Sequence, residues 1–110
     1  MRIVFTKEVR EYLKDVADIM YEKEYFSFLD SSQHYMESLI NEIVTTLPSR
    51  QAKLAPPYFE RYSKDMHYVM FRKSKNTQWY VFFNLFEDEK GEHTYLISYI
   101  TNNHLIAHFL

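Results

Sequence analysis

The stretch Thr77-Gln78-Trp79-Tyr80-Val81-Phe82-Phe83-Asn84-Leu85-Phe86 restricts the possible folds of this chain more than any other. As an extended strand it puts Trp79, Val81, Phe83 and Leu85 on one face and Tyr80, Phe82 and Phe86 on the other, with only Gln78 and Asn84 polar between them. Leaving that many rings in water on either side is costly, so the strand is expected to be central in its sheet and covered on both faces over part of its length.

The rest of the chain supplies the layers such a strand needs. Arg2–Phe5 reads as a short first strand, with Thr6 placed to end it and cap a helix. Val9, Tyr12, Leu13, Val16, Ala17, Ile19 and Met20 recur at helical spacing, with Lys7, Glu8, Arg10, Glu11, Lys14, Asp15 and Asp18 opposite. A second helix is expected to start at Asp30-Ser31-Ser32-Gln33, to carry the stripe Tyr35, Met36, Leu39, Ile40, Ile43, Val44 and Leu47, and to stop at Pro48. The two helices read as an antiparallel pair.

From Ser49 to Asp65 no period holds, and Pro56-Pro57 forces extended or turning backbone, with a short turn expected around Tyr58–Tyr62. Three strand-like runs follow at His67–Arg72, Gln78–Phe86 and Thr94–Ile100, separated by hairpin-sized polar turns, the second holding Gly91 for a positive φ. The tail Asn102–Leu110 fits one or two helical turns or a last strand. The expected fold is therefore α+β, one domain over residues 1–110, with an N-terminal strand and a two-helix antiparallel pair packed on an antiparallel β-meander.

Composition removes several functions. With no cysteine there is neither thiol chemistry nor a disulfide, and a single glycine excludes the glycine-rich loops that cradle phosphates. No run reaches the roughly 18 apolar residues of a membrane span, and Met1–Glu8 does not read as a secretory leader, so a cytoplasmic location without membrane attachment is expected. His104 and His108 share a helical face but have no third ligand nearby in sequence, and neither a metal nor a cofactor is expected. The net charge of −2 is uneven: residues 1–49 sum to −4, residues 50–75 to +5 and residues 76–110 to −3. The basic island supplies Arg50, Lys53, Arg61, Lys64, Lys73 and Lys75 as candidate nucleic-acid contacts, interleaved with Tyr58, Phe59, Tyr62 and Tyr68, on which bases can stack. The plain alternative is a solvated loop over packed rings. Glu87, Asp88, Glu89 and Glu92 read as a solubilising hairpin tip.

The element order, together with the segment Tyr68-Val69-Met70-Phe71-Arg72-Lys73-Ser74-Lys75-Asn76-Thr77-Gln78-Trp79-Tyr80-Val81-Phe82-Phe83, resembles the RelE/ParE toxin superfamily, the small toxins of bacterial toxin–antitoxin pairs. The segment looks like that family's strand ending in a basic residue, short turn and aromatic-rich strand. The resemblance implies a cognate antitoxin as partner and, for the ribonuclease members, messenger RNA on the ribosome as target. There a ribose 2′-hydroxyl attacks the adjacent phosphate, with Arg and Lys stabilising charge and a Tyr or His moving protons. Carried over, it implies a catalytic set of Arg72 at the strand end, Tyr80 in the aromatic strand and His104 just past the last strand. Tyr80 and Asn102-Asn103-His104 stand where those members often carry cations, so the alternative is a non-catalytic protein- or nucleic-acid-binding module on the same fold.

Overall fold

A computed structural model describes residues 1–22 and 29–103. Strand β1 (Arg2–Phe5) leads through Thr6 into helix α1 (Lys7–Glu22), and the Thr6 hydroxyl accepts the Val9 N–H at 3.3 Å, the N-cap expected there. Helix α2 (Leu29–Thr46) ends two residues before Pro48, and Leu47–Ser49 completes it as a 3-10 turn. A groove between the helices is lined by Arg10, Leu13 and Lys14 of α1 and by Gln33, Met36, Glu37 and Ile40 of α2. Next come the two-residue strand β2 (Lys53–Leu54), a 3-10 segment at Pro57–Arg61, and strands β3 (His67–Ser74), β4 (Thr77–Glu87) and β5 (His93–Asn102).

The five strands form one mixed sheet in the order β1-β5-β4-β3-β2. The structure extends the expected antiparallel meander into a mixed sheet. β3, β4 and β5 are the expected meander, but β1 joins the sheet beside β5 in parallel, Phe5 opposite Ile97, and β2 adds an antiparallel edge to β3. The two helices form the crossover that lets β1 lie parallel to a strand of the same sheet. The tight turn after β5's partner β4 is built by Asp88, whose carboxylate accepts the N–H groups of Lys90 and Glu92, and Gly91 takes the positive φ of 80°.

β4 is covered on both faces, as its two apolar rows require. On one side Trp79, Val81 and Phe83 pack with Val69, Phe71, Ile97 and Ile100 under the stripes of α1 and α2. Trp79 is fully buried, and its indole N–H donates to the Tyr35 hydroxyl at 2.9 Å. On the other side Phe82 stacks on Phe59 of the 3-10 segment, centroids 4.3 Å apart, and Met66 closes this second, smaller core. Coverage ends before the strand does: Leu85 and Phe86 are about half exposed. Val44, counted in the α2 stripe, is also exposed.

A bulge sets the far half of β5. Phe82 lies opposite Tyr99 but Phe83 lies opposite Ile97, so Ser98 is an extra residue. That insertion lets Ile97 and Ile100, three apart, both enter the helix-side core, while Tyr99 joins the Phe59–Phe82 core.

Candidate functional site

The sheet face opposite the helices is only partly covered, and the register fixes what it shows. Tyr68 lies opposite Phe82, Met70 opposite Tyr80 and Arg72 opposite Gln78, so Tyr68, Met70 and Arg72 of β3 share this face with Gln78, Tyr80 and Phe82 of β4. Arg72 and Tyr80 are therefore diagonal cross-strand neighbours, within reach of one long side chain and one ring. Tyr80 makes an edge contact with Tyr68, ring centroids 6.1 Å apart, and Lys53 of β2 lies opposite Tyr68. Met70 is 46% exposed, so the centre of this face is open to solvent.

The 3-10 segment sits at one end of the same face and is held there from both directions. Phe59 is buried against Phe82, Tyr58 packs edge-on against Phe59 at 5.1 Å, and Tyr62 stacks on Tyr99 at 3.8 Å with planes 9° apart. Asn84, one of the two polar residues inside the aromatic strand, accepts from the Ser63 hydroxyl and donates to the Lys64 carbonyl, at 2.8 and 2.9 Å. The chain after the 3-10 segment is thus tied to β4 by a side chain whose neighbours along the strand are both apolar. Arg61 lies over the Tyr58 ring, its Cζ 3.9 Å from the centroid, and its Nε–H donates to the Tyr58 carbonyl. Hydrogen bonding with Tyr99, followed by burial, raises the Tyr62 phenol above its ordinary range, so this ring stays neutral at physiological pH.

The fold divides the basic island. Arg72, Lys53 and Arg61 lie on or around the open face, and Lys64 and Lys75 are exposed at its ends. Arg50 and Lys73 go elsewhere. Arg50 bonds the Glu42 carboxylate at 2.7 Å and lies over the Phe71 ring at 4.5 Å, while the Lys73 ammonium reaches the same carboxylate at 3.5 Å and the Ser38 hydroxyl at 3.1 Å. Both brace α2 against β3 on the helix side and do not join the open face. His104 lies outside the described residues, as does the rest of the tail to Leu110; of the tail for which helix and strand were both expected, Asn102 is the last residue of β5. Asn103 just before His104 accepts the Gln78 N–H and donates to the Asn76 carbonyl, at 2.9 and 3.0 Å, so the end of β5 is fastened to the β3–β4 turn, next to Arg72's partner Gln78.

The arrangement offers an aromatic surface bordered by cations, able to stack bases and hold phosphates. Residues that sequence reasoning did not single out also contribute. Tyr99 reaches this surface only because of the bulge at Ser98, which leaves no periodic signal, and Asn84 acts as a clamp rather than as a site group. No family model, curated protein or solved structure matches this chain. Among the described residues, no helix is long and apolar enough to cross a membrane.

Proposed function

We propose that this protein acts on RNA as the toxin-like component of a RelE/ParE-type toxin–antitoxin pair, holding an RNA strand across the open sheet face. The observation that carries the reading is the diagonal placement of Arg72 and Tyr80 beside Tyr68, with Lys53 and Arg61 bordering the same surface. In this reading Arg72 sits against a phosphate, the tyrosines stack bases, and Lys64 and Lys75 extend the track at either end. A cognate antitoxin would cover the same face, and ribosome-bound messenger RNA is the target that the resemblance implies, in the cytoplasm. His104 is the proton-transfer group of the endoribonuclease version.

One observation favours a second reading, a binding module without cleavage. The cross-strand neighbours of Tyr80 are Met70 and Thr101, and Gln78 faces Arg72, so Arg72 is the sole cation within that central set. A pentavalent phosphate is normally met by several.

Expression followed by growth measurement, ribosome co-sedimentation and primer extension on total messenger RNA separates the two. Cleavage abolished by Arg72→Ala supports the enzyme; binding without cleavage supports the module. For a single-stranded RNA, Arg72→Ala should lower the salt slope of binding by about 0.7, the signature of one lost phosphate contact. The RNA reading fails if the protein binds no RNA, leaves growth unchanged and is indifferent to Arg72→Ala.

A further inference from the structure

β1 ends at Phe5, where the Thr6 N–H still bonds the Ile97 carbonyl at 3.0 Å and the chain turns into α1. β5 runs on to Asn102, and from Ser98 onward no strand lies on that side of it among the described residues. The space left between the start of α1, the Arg61–Ser63 stretch and the far half of β5 is a cleft of about 530 Å³. That is within the general range for small-ligand sites, roughly 300–1,000 Å³.

The chemistry of its walls is uneven in an informative way. Tyr62 and Tyr99 form a flat stacked pair, and Tyr62 remains 39% exposed, so a planar ring can extend the stack. Glu8, in the first turn of α1, is one of the lining residues, and so is Arg61, whose guanidinium is held over the neighbouring Tyr58 ring. Neither charge has an ion-pair partner among the described residues, and they do not pair with each other. A ligand satisfying all three features carries adjacent N–H donors, a flat ring and an anion.

Among nucleobases, guanine alone has that donor edge: N1–H and the N2 amine lie side by side and match the two oxygens of a carboxylate. Adenine and cytosine turn an acceptor nitrogen to the same place, and uracil sets a single donor between two acceptors. We infer that the cleft is a guanine-nucleotide site, with Glu8 reading the base edge, Tyr62 and Tyr99 stacking the ring and Arg61 holding the phosphate. The ligand is either a free guanosine nucleotide or one guanosine of a bound RNA. The second form rests on the RNA reading of the adjoining face.

The test is a set of equilibrium titrations with GMP and AMP, and with two labelled hexaribonucleotides, all-uridine and all-uridine with one central guanosine. The expected result is a preference of about tenfold for GMP over AMP and for the guanosine hexamer over its control, the scale of one good bidentate base contact. Glu8→Gln, whose amide offers only one acceptor, should bring both ratios to within about twofold. Tyr62→Ala should weaken GMP on the order of tenfold, as loss of a stacking ring does, while Glu89→Gln at the distant hairpin tip should change nothing. Near-UV circular dichroism confirms that each variant retains its fold. Equal binding of GMP and AMP, or a preference that survives Glu8→Gln, overturns the inference. If both hexamers bind equally well and GMP and AMP do too, only the cleft is rejected; if both hexamers bind equally well but GMP is preferred over AMP, the cleft takes the free nucleotide only; if neither hexamer binds but GMP is preferred over AMP, the RNA reading falls and the cleft stands.

Discussion

Phe59→Ala should detach the candidate site from the sheet without dissolving the main core. Phe59 is fully buried, stacked on Phe82 at 4.3 Å and touched edge-on by Tyr58. Truncating a fully buried Phe to Ala costs ~3–5 kcal/mol where the surroundings cannot collapse. This core is small, with Phe59, Met66 and Phe82 its fully buried members among the described residues, and one side of it is the short 3-10 segment rather than a helix. Once Phe59 is gone, that segment can lift off instead of enclosing a cavity, which places the expected loss at about 3 kcal/mol, the lower end of the range. At a urea slope of roughly 1.5 kcal/mol/M this is a midpoint shift of ~2 M for any probe that reports the segment. The chain supplies two separable probes. Its single tryptophan, Trp79, lies in the helix-side core, while Tyr58, Tyr62, Tyr68, Tyr80 and Tyr99 surround the second one. In the variant, near-UV tyrosine dichroism should be reduced already in buffer, with Trp79 fluorescence still showing a cooperative transition. Nucleotide and RNA binding should fall together, because Arg61 and Tyr62 ride on the lost segment. Unchanged tyrosine dichroism and an unshifted midpoint would refute the claim that Phe59 holds this segment to the sheet.

Two further outcomes follow from the charges and phenols already described. Glu42→Gln should cost about 1–2 kcal/mol, because it leaves Arg50 and Lys73, both partly buried, without their shared carboxylate, and the wild-type advantage should shrink in about 1 M salt; urea titrations at low and high ionic strength read both. Tyr12 and Tyr35 are raised above 10.0 by burial, and Tyr62 chiefly by its hydrogen bond with Tyr99, so the folded state prefers the neutral phenols. Their contribution is complete below pH 10 and is lost as the pH rises past it, because the unfolded chain releases these protons first; unfolding followed with tyrosinate absorbance should show this contribution falling away on the alkaline side.

The large features were legible because they repeat within a short window. The two-faced row of β4, the Val9–Val16 part of the α1 stripe, the Thr6 cap and the stop at Pro48 each depend on residues within a turn or a strand of one another, and each is found where the pattern puts it. What was not legible depends on partners far apart in sequence. Arg2–Phe5 is equally suited to either edge of a sheet, and its parallel seat beside residues 94–97 is chosen only when the helices cross over. β2 has two residues and therefore no period. The charge island misled in the same way. Arg50 and Lys73 belong to a +5 segment in sequence, yet they converge on one carboxylate of α2, 8 residues before Arg50 and 31 before Lys73. Counting charge along the chain could not reveal that pairing.

β4 thus has two tasks that draw on different faces of one strand. Its helix-side row, Trp79, Val81 and Phe83, is buried under two long amphipathic helices and has packing enough to define the fold alone. The opposite row has no such cover: Phe82 is roofed by a five-residue segment, Tyr80 is half-buried and Phe86 is open. Burial of the rings on that side therefore falls short of what their number would allow, at Phe86 near the end of β4 and again around Tyr80 and exposed Met70, beside Arg72. A face kept aromatic, only partly roofed and edged with cations is poorly explained by stability, since polar replacements at Met70 or Tyr80 would leave the helix-side core untouched. Occupancy by a ligand with flat rings and negative charge accounts for both the rings and the missing roof.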